Sequence, residues 1–272
     1  MTESTRMKIG IVGLGAIGGF LLGELKNDSR FEIAGVDDID REKALSVLAE
    51  NGFTSDKLIN FSDFPEDTDV YIEAASGSIA RKVAEFALTR GKIVVIASIG
   101  GLGDIDDLKK IAEKTGGRMI LPSGAIAGLD ALKAIPTESI KSVSLKSTKP
   151  SGTLADTPWL KEHGIDCLKL EKSTCVFSGN AREACKAFPK SANVSAALAH
   201  ATLGLDRVHV EMWADPLSDK NRHSIRVESD HGNLEVEVSN VPFEINPRTS
   251  RLAAYSILAT IRNLVEPVVV GT

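Results

Sequence analysis

A glycine-rich turn near the N-terminus constrains the fold more than any other feature of this sequence. Gly13, Gly15 and Gly18 form the pattern G-x-G-x-x-G, which follows an apolar run and precedes a helical apolar pattern. In that setting the first glycine makes a tight turn, the second admits a pyrophosphate, and the third lets the helix pack close to the strand. The free N–H groups of the helix start, at Ala16 and Ile17, favour the negative charge. The turn therefore predicts a dinucleotide-binding site.

An acidic residue stands where the second strand of such a fold ends. Asp37 closes an apolar run and follows the glycine-rich turn by about 20 residues, the spacing expected for a ribose-binding acid. A carboxylate there accepts hydrogen bonds from the adenosine ribose and repels a 2′-phosphate, which favours NAD over NADP. Arg41 lies near enough in sequence to reach a phosphate, so NADP stays open. The alternative is that Asp37, Asp38 and Asp40 only cap the next helix.

Strands and helices alternate through the first 122 residues. The predicted strands cover residues 7–12, 32–37, 58–61, 70–73, 92–97 and 118–121, and the predicted helices cover residues 16–26, 40–51, 79–90 and 104–115. Short apolar strands that alternate with helices predict a parallel sheet buried on both faces. In the loops that follow later strands, Ala75, Ser76 and Ser98 leave room for the ribose on the nicotinamide side.

The pattern changes after residue 122. Strands are predicted around residues 139–148, 208–212, 225–227 and 234–238, and helices over residues 181–188, 194–203 and 249–266. The period-two alternation predicts an antiparallel or mixed sheet, and residues 149–166, rich in turn formers, are predicted as an excursion or flexible loop. The sequence thus predicts an α/β protein with a Rossmann-type doubly wound domain, residues 1–122, and a second α+β domain, residues 123–248, for the substrate. The last helix is expected to pack back on the first domain.

The composition excludes several classes of protein. The 272 residues carry a net charge of −5 with both signs interspersed, so a nucleic-acid-binding face is not expected. The polar N-terminus does not resemble a signal peptide, and the apolar segments are too interrupted to span a membrane. Three cysteines without C-x-x-C spacing indicate reduced thiols and a cytoplasmic location. No group of His, Cys and Asp has the spacing of a metal site.

Three further segments carry candidate chemistry. His223 ends a polar stretch where a strand begins, which places a proton-transfer group on a loop held by a sheet. Arg248 and the N–H groups that open the last helix form an anion site suited to a carboxylate, although simple capping is equally consistent. Small residues at the predicted domain junction let the backbone approach a nicotinamide, or serve as a hinge. These residues are Ser123, Gly124, Ala125 and Ala127.

Taken in order, these segments resemble the L-aspartate dehydrogenase family over nearly the whole chain. The likeness rests on the glycine-rich turn, E-A-A-S at 73–76, P-S-G-A-I-A-G-L-D at 122–130, Asn193 before an alanine-rich helix, A-D-P at 214–216 with Asn221-x-His223, and N-P-R-T-S at 246–250. The resemblance implies that His223 is the active-site histidine and that Asn193 and the 124–127 loop contact the cofactor. Asn221, Ser123 and Arg248 then surround the substrate, where the family more often has Lys at the last position.

The resemblance also implies an activity and partners. It implies NAD(P)-dependent oxidation of L-aspartate to iminoaspartate, then hydrolysis to oxaloacetate and ammonia, in a homodimer that pairs through the sheet of the second domain. In some organisms the imine feeds quinolinate synthase in NAD biosynthesis. His223 either accepts the amine proton or activates the attacking water, and Lys149 joins Arg248 and the Ser123–Gly124 backbone as a candidate partner of the substrate carboxylates. Three alternatives stay open: a dihydrodipicolinate-reductase-like or homoserine-dehydrogenase-like enzyme, a non-catalytic NAD-binding sensor, and a structural protein of the same fold that binds no nucleotide.

Overall fold

A computed structural model describes residues 6–243 and 250–271 of the chain. Within these ranges the chain forms two compact units. The first holds the residues up to Pro122 together with Ile257–Pro267, and the second holds the remainder of the described chain.

The first unit contains a five-stranded parallel sheet in the order β2-β1-β3-β4-β5. Its strands are β1 (Met7–Val12), β2 (Phe31–Asp37), β3 (Val70–Glu73), β4 (Ile93–Ile96) and β5 (Arg118–Ile120), and its helices are α1 (Ala16–Leu25), α2 (Arg41–Glu50), α3 (Gly77–Thr89) and α4 (Asp106–Thr115). The predicted doubly wound parallel sheet is confirmed. The strand order reverses between β1 and β3, so the loops after these two strands lie side by side at the carboxyl edge, where ligands bind in such sheets.

One strand predicted from the sequence is absent from this sheet. Residues 58–61 form an isolated parallel bridge at Leu58 with Val36, between two turns of 3₁₀-helix at Ser55–Lys57 and Phe61–Asp63. The buried residues of this segment, Leu58, Phe61 and Phe64, recur every third residue. That spacing suits a 3₁₀ turn, in which residues three apart share a face, and not a strand, in which residues two apart do.

The core of the first unit includes residues from the far end of the chain. Ile9 and Ile11 of β1 and Leu21 of α1 lie in one buried cluster with Ile257 and Ile261. The last two belong to α10 (Arg251–Arg262), whose final turns are therefore part of the first unit.

The second unit contains a mixed five-stranded sheet in the order β10-β9-β6-β8-β7. Its strands are β6 (Ile140–Pro150), β7 (Thr174–Asn180), β8 (His209–Asp215), β9 (Asn221–Ser229) and β10 (Gly232–Asn240), and its helices are α5 (Leu129–Ala134), α6 (Ser151–Leu154), α7 (Pro158–Glu162), α8 (Ala181–Ala187) and α9 (Asn193–Ala201). The central strand β6 runs parallel to β8 and antiparallel to β9. The predicted mixed sheet is confirmed.

The predicted loop over residues 149–166 is wrong. Residues 149 and 150 complete β6, and the short helices α6 and α7 follow. Leu154 and Leu160, one from each helix, are fully buried and anchor the segment, while Pro158 starts α7 in the position where proline is tolerated. Turn-forming residues therefore mark helix ends here and not a flexible excursion.

Alternation along β6 and β9 separates a buried face of the second sheet from an exposed face. On β9 the buried face starts with Asn221 and His223 and continues with Ile225. Arg222 and Arg226 belong to the alternate face and are exposed. The residues on the buried face are thus polar at one end of the strand and apolar along the rest of it. That buried polar end is the first element of the candidate site.

Candidate active site

The glycine-rich turn has the shape that a dinucleotide pyrophosphate requires. Gly13 adopts a left-handed φ of +96°, and a Cβ on Gly18 would lie 1.8 Å from the carbonyl oxygen of Gly13, so both positions exclude side chains. A Cβ on Gly15 would meet nothing within 4 Å, which leaves open space in front of the turn. Helix α1 begins behind it without a side-chain cap and without an acidic residue in its first turn. Its N–H groups are available to an anion.

The two acids at the end of β2 point in different directions. Asp37 accepts a hydrogen bond from the Phe61 N–H at 2.9 Å and pairs with Arg41 at 3.4 Å. Asp38 instead accepts from the Leu14 N–H at 2.5 Å, inside the glycine-rich turn. Successive residues of extended backbone project to opposite sides, so only one of two adjacent acids can face the turn. The structure places Asp38 there, whereas the sequence had pointed to Asp37.

A buried carboxylate joins the loops that follow β3 and β4. Glu73 is fully buried and accepts hydrogen bonds from the N–H of Ala75 and from both the N–H and the hydroxyl of Ser98, each at 2.9 Å. Burial raises the pKa of Glu73, against the effect of these donors. Ala75 and Ser76 are exposed at the edge that Gly13 occupies, since a Cβ on Gly13 would lie 2.5 Å from the Ala75 Cα. In the sequence, Glu73 stands out only as part of the E-A-A-S motif, which does not reveal these hydrogen bonds.

In the second unit the small-residue loop is fixed by the sheet. Asn240, at the end of β10, donates from its amide to the carbonyl oxygen of Ala125 at 2.8 Å, and both residues are buried. Asn240 lies opposite Asn221 in the β10–β9 register. Gly124 has a φ of +64° and Ala127 is exposed, so the loop presents backbone and small side chains. The loop and the polar end of β9 are therefore held by one sheet.

His223 lies in a buried polar cluster on this sheet. Its Nδ1 is 3.0 Å from the hydroxyl of Ser147, which faces it across the β6–β9 pair. Lys149 is two residues further along β6 on the same face. Lys149 and Asn221 are each at least 95% buried. The Oδ1 atom of Asn221 has no hydrogen-bond partner among the described residues. We call Ser147, Lys149, Asn221 and His223 the β6–β9 cluster.

Burial determines the charge state of this cluster. It lowers the pKa of His223 to about 3, with a further contribution from the charge of Lys149, and it lowers the pKa of Lys149 to about 8. At neutral pH the imidazole is therefore neutral and keeps a free lone pair, while Lys149 is mostly a cation.

The depressed pKa of His223 has a consequence for stability in acid. The unfolded chain binds a proton at this residue below about pH 6.5, but the folded protein does not, so the free energy of unfolding falls as the pH falls below 6.5. We expect the contribution of His223 to the slope of unfolding free energy against pH to approach about 1.4 kcal/mol per pH unit. This contribution is expected to be absent from His223→Gln. Urea unfolding of both proteins between pH 7 and pH 5 measures the difference. Parallel stability curves would mean that the folded protein protonates His223.

The remaining predicted site residues have the following positions. Asn193 is the first residue of α9 and, like Ser123, is half-buried, while Arg248 lies outside the described residues. Ser147 was not predicted, although the alternation 143, 145, 147, 149 carries it onto the buried face. Among residues 6–243 and 250–271, no group of three His, Cys, Asp or Glu side chains is arranged to hold a metal ion. The same ranges contain no helix long and apolar enough to cross a bilayer.

Two family models together match most of the chain. The model described as homoserine dehydrogenase, NAD binding domain, matches residues 13–122, and the model described as aspartate dehydrogenase, C-terminal, matches residues 130–264. The first match agrees with the glycine-rich turn and the parallel sheet. The second covers the β6–β9 cluster.

Proteins named L-aspartate dehydrogenase align with this chain over nearly its full length. The L-aspartate dehydrogenase of Methanocaldococcus jannaschii is 42% identical, with 98% of this chain and all of the relative covered. That of Bradyrhizobium diazoefficiens is 36% identical, with all of this chain and 96% of the relative covered. The crystal structure of aspartate dehydrogenase from Thermotoga maritima superimposes with a TM-score of 0.73 at 29% identity, over 98% of this chain and all of that one. A hyperthermophilic archaeal homoserine dehydrogenase, at 14% identity and a TM-score of 0.59, shares the fold.

The sequence motifs, the two sheets and the matches to relatives indicate the same family over the full length of the chain. The first unit is a nicotinamide-dinucleotide-binding domain, and the second carries the features of the aspartate dehydrogenase C-terminal domain. The chain belongs to the L-aspartate dehydrogenase family of oxidoreductases.

Proposed function

We propose that this protein is an NAD-dependent L-aspartate dehydrogenase, which oxidises L-aspartate to iminoaspartate before water releases oxaloacetate and ammonia. The observation that carries the proposal is the β6–β9 cluster: a buried neutral histidine beside a buried cation, in a chain that aligns end to end with enzymes of this name. A dicarboxylate that bears an amine needs both a proton acceptor and a cationic partner, and the cluster contains one of each.

His223 serves as the proton acceptor in this proposal. The substrate ammonium loses one proton to the imidazole, and the Cα hydride then leaves with its electron pair as the carbon–nitrogen double bond forms. Bound NAD⁺ supplies the acceptor for that hydride. For His223 to accept at Nε2, its Nδ1 must carry the hydrogen and donate to the Ser147 hydroxyl 3.0 Å away. The Ser147 hydroxyl can accept this hydrogen bond. Once the imidazole has released the amine proton, it can also activate the water that attacks the imine.

The substrate carboxylates need cations or N–H groups. The backbone at Ser123 and Gly124, in the loop that Asn240 holds through Ala125, supplies N–H groups. Arg248 keeps the role proposed from the sequence. Asn193, Gly124, Ala125 and Ala127 are the proposed contacts of the nicotinamide half of the cofactor.

We assign the adenosine ribose to Asp38. Its carboxylate lies at the Leu14 N–H of the glycine-rich turn, and a negative charge there repels the 2′-phosphate of NADP. Asp38→Ser is expected to move the ratio of kcat/KM for NAD over NADP toward NADP by about 10- to 100-fold, because the repulsion between like charges is removed. Initial rates with both cofactors measure this ratio.

The neighbouring acid provides the matched comparison. Asp37→Ser removes a carboxylate that contacts Phe61 and Arg41, so the cofactor ratio is expected to stay within about threefold of the wild type. If Asp37→Ser shifts the ratio and Asp38→Ser does not, the ribose-binding acid is Asp37, as the sequence suggested.

The test of the activity is NADH formation with L-aspartate, followed by absorbance, beside L-homoserine and a panel of other amino acids. Turnover with L-aspartate above all others, with oxaloacetate and ammonia as products, supports the proposal. Turnover with L-homoserine instead would indicate a homoserine-dehydrogenase-like enzyme. NADH binding without turnover of any amino acid would indicate a sensor.

The proposal extends to the setting of the enzyme. The three free thiols, Cys167, Cys175 and Cys185, support a reducing cytoplasmic compartment. A homodimer is proposed through the exposed face of the second sheet, where Lys146 stacks over Trp213, and sedimentation of the purified protein measures it. Because an imine hydrolyses in water, we also propose that iminoaspartate is passed to a consuming enzyme such as quinolinate synthase.

A further inference from the structure

We infer that Lys149 is the counter-ion of a substrate carboxylate. The negative charge of this carboxylate then compensates the positive charge of Lys149, which enables His223 to take up the amine proton. The inference rests on the proposed function, because it assigns a role within the same site. It makes Lys149 a substrate-binding residue and couples the binding of the acid to the strength of the base.

Lys149 is a buried cation without an acidic partner among residues 6–243 and 250–271. Its side chain is only 5% exposed, and no described carboxylate forms an ion pair with it. Lysines of the same chain that are more accessible to solvent do have such partners: Lys8 pairs with Asp67, and Lys141 pairs with Asp230 at 2.6 Å. A buried charge is costly unless an opposite charge or hydrogen bonds compensate it. The missing compensation is what an anionic substrate supplies.

Within the described part of the chain, the sheet face around Lys149 is polar but carries no acid. On the same face of the sheet lie Ser147, His223 and Asn221, while Ala214 is its partner on β8. The nearest acid on β8, Asp215, is on the alternate face, where it pairs with Arg222 at 3.0 Å. Of the described residues, His223 is the one titratable group that shares this face with Lys149, and Lys149 is the one charge that affects the pKa of His223.

Asn221 adds a second, independent sign of a ligand. Its side chain is 2% exposed, yet Oδ1 has no hydrogen-bond partner among the described residues. An unpaired buried acceptor costs free energy, and such groups in native proteins call for a ligand or a water. The cluster therefore presents a free cation for a carboxylate and a free acceptor for an amine. These two groups match the two charged ends of an amino acid with an acidic side chain.

The coupling to His223 follows from electrostatics. In the free protein the charge of Lys149 and burial both oppose a second positive charge on the imidazole. A carboxylate bound to Lys149 cancels the first of these effects, so the imidazole becomes a stronger base when the substrate is present. An amino acid without a second carboxylate leaves one cationic group of the site uncompensated and provides a weaker base.

Succinate, the aspartate skeleton without its amine, tests the carboxylate role separately from turnover. Calorimetry of succinate binding to the NADH-loaded protein at about pH 8, in two buffers of different ionisation enthalpy, gives affinity and proton uptake together. We expect the wild type to take up protons, because the carboxylate raises the pKa of Lys149. Lys149→Met is expected to bind succinate about 100-fold more weakly, and Lys149→Arg to bind within about 10-fold but with less proton uptake.

Lys141→Met is the matched control. It is the same substitution on the same strand, at an exposed position where Lys141 pairs with Asp230, and it is expected to change neither affinity nor proton uptake. Replacement of an unpaired buried amine by an apolar side chain of similar length is tolerated by folded proteins, and thermal melts of all variants verify this here. If Lys149→Met melts below the assay temperature, Lys149→Arg provides the measurement.

The outcomes separate this inference from the proposed function. If the wild type oxidises L-aspartate but Lys149→Met keeps succinate affinity and kcat/KM within about threefold, the inference is wrong and the function stands. If succinate binding depends on Lys149 but L-aspartate is not oxidised, the carboxylate site stands and the proposed substrate is wrong. Proton uptake that is equal in the wild type and Lys149→Arg would mean that the bound carboxylate does not act on the charge of Lys149, which overturns the inference.

Discussion

His223→Ala is expected to lower kcat for L-aspartate oxidation by about 10²- to 10⁴-fold, the range typical for loss of a general base. The imidazole is buried, neutral at neutral pH and oriented by the Ser147 hydroxyl at 3.0 Å. Alanine leaves no group in the β6–β9 cluster that can accept the amine proton at that place. Because the glycine-rich turn belongs to the other unit, affinity for NADH is expected to stay within about threefold of the wild type.

His209→Ala is the control for this experiment. His209 lies on β8 of the same sheet but is exposed, with its Nε2 3.9 Å from Glu211. Its kcat is expected to match the wild type, because no reacting group lies near it on the described sheet. Steady-state rates, NADH titration and thermal melts of both variants complete the comparison. A drop of less than about threefold for His223→Ala, with the fold intact, would show that another group accepts the proton.

Gly18→Ala is expected to weaken NADH binding by about 100-fold or more. A Cβ at this position would lie 1.8 Å from the carbonyl oxygen of Gly13, so the turn must open before the side chain fits. The opposing atom is backbone and cannot move as a side chain can. In an opened turn the pyrophosphate no longer fits in front of Gly15, and the N–H groups at the start of α1 no longer point toward it.

The adjacent glycine provides the control. A Cβ on Gly19 would find its nearest neighbour, Val47 Cγ1, at 3.7 Å, which is an ordinary contact. Gly19→Ala is expected to keep NADH affinity and to stabilise the protein by about 0.5–1 kcal/mol, because alanine is favoured over glycine inside a helix. Fluorescence titration with NADH and urea unfolding measure the two effects. Normal NADH affinity in Gly18→Ala would mean that this turn does not hold the cofactor.

The fold class was predictable because it rests on local patterns. The glycine-rich turn after an apolar strand and the alternation of strands and helices specify a parallel sheet, whichever residues fill its core. The change to period-two alternation after residue 122 likewise predicted the mixed sheet. The errors arose where the local signal was ambiguous: Leu58 and Phe61 fit a strand by apolarity but a 3₁₀ turn by spacing, and the prolines of residues 149–166 mark both loops and helix starts.

The site was predictable only in part. His223 and Asn221 follow from their place at the end of a strand and from the family resemblance. Which of Asp37 and Asp38 faces the glycine-rich turn depends on the twist and phase of β2 at its last residue, and no local pattern records that phase. Glu73 was visible as a motif residue, but its hydrogen bonds to Ser98 exist only because β3 and β4 are neighbours.

By itself the sequence determined which residues turn, alternate and cap, and with them the fold class and the family. Only the tertiary structure decided that Lys149 and His223 share one buried face, since they are far apart in the chain and meet through the antiparallel register of β6 and β9. The physical reason is that a pKa and a missing counter-ion are properties of surroundings. The pairing of strands that are distant in the sequence decides how deeply a side chain is buried and which charge lies nearest to it.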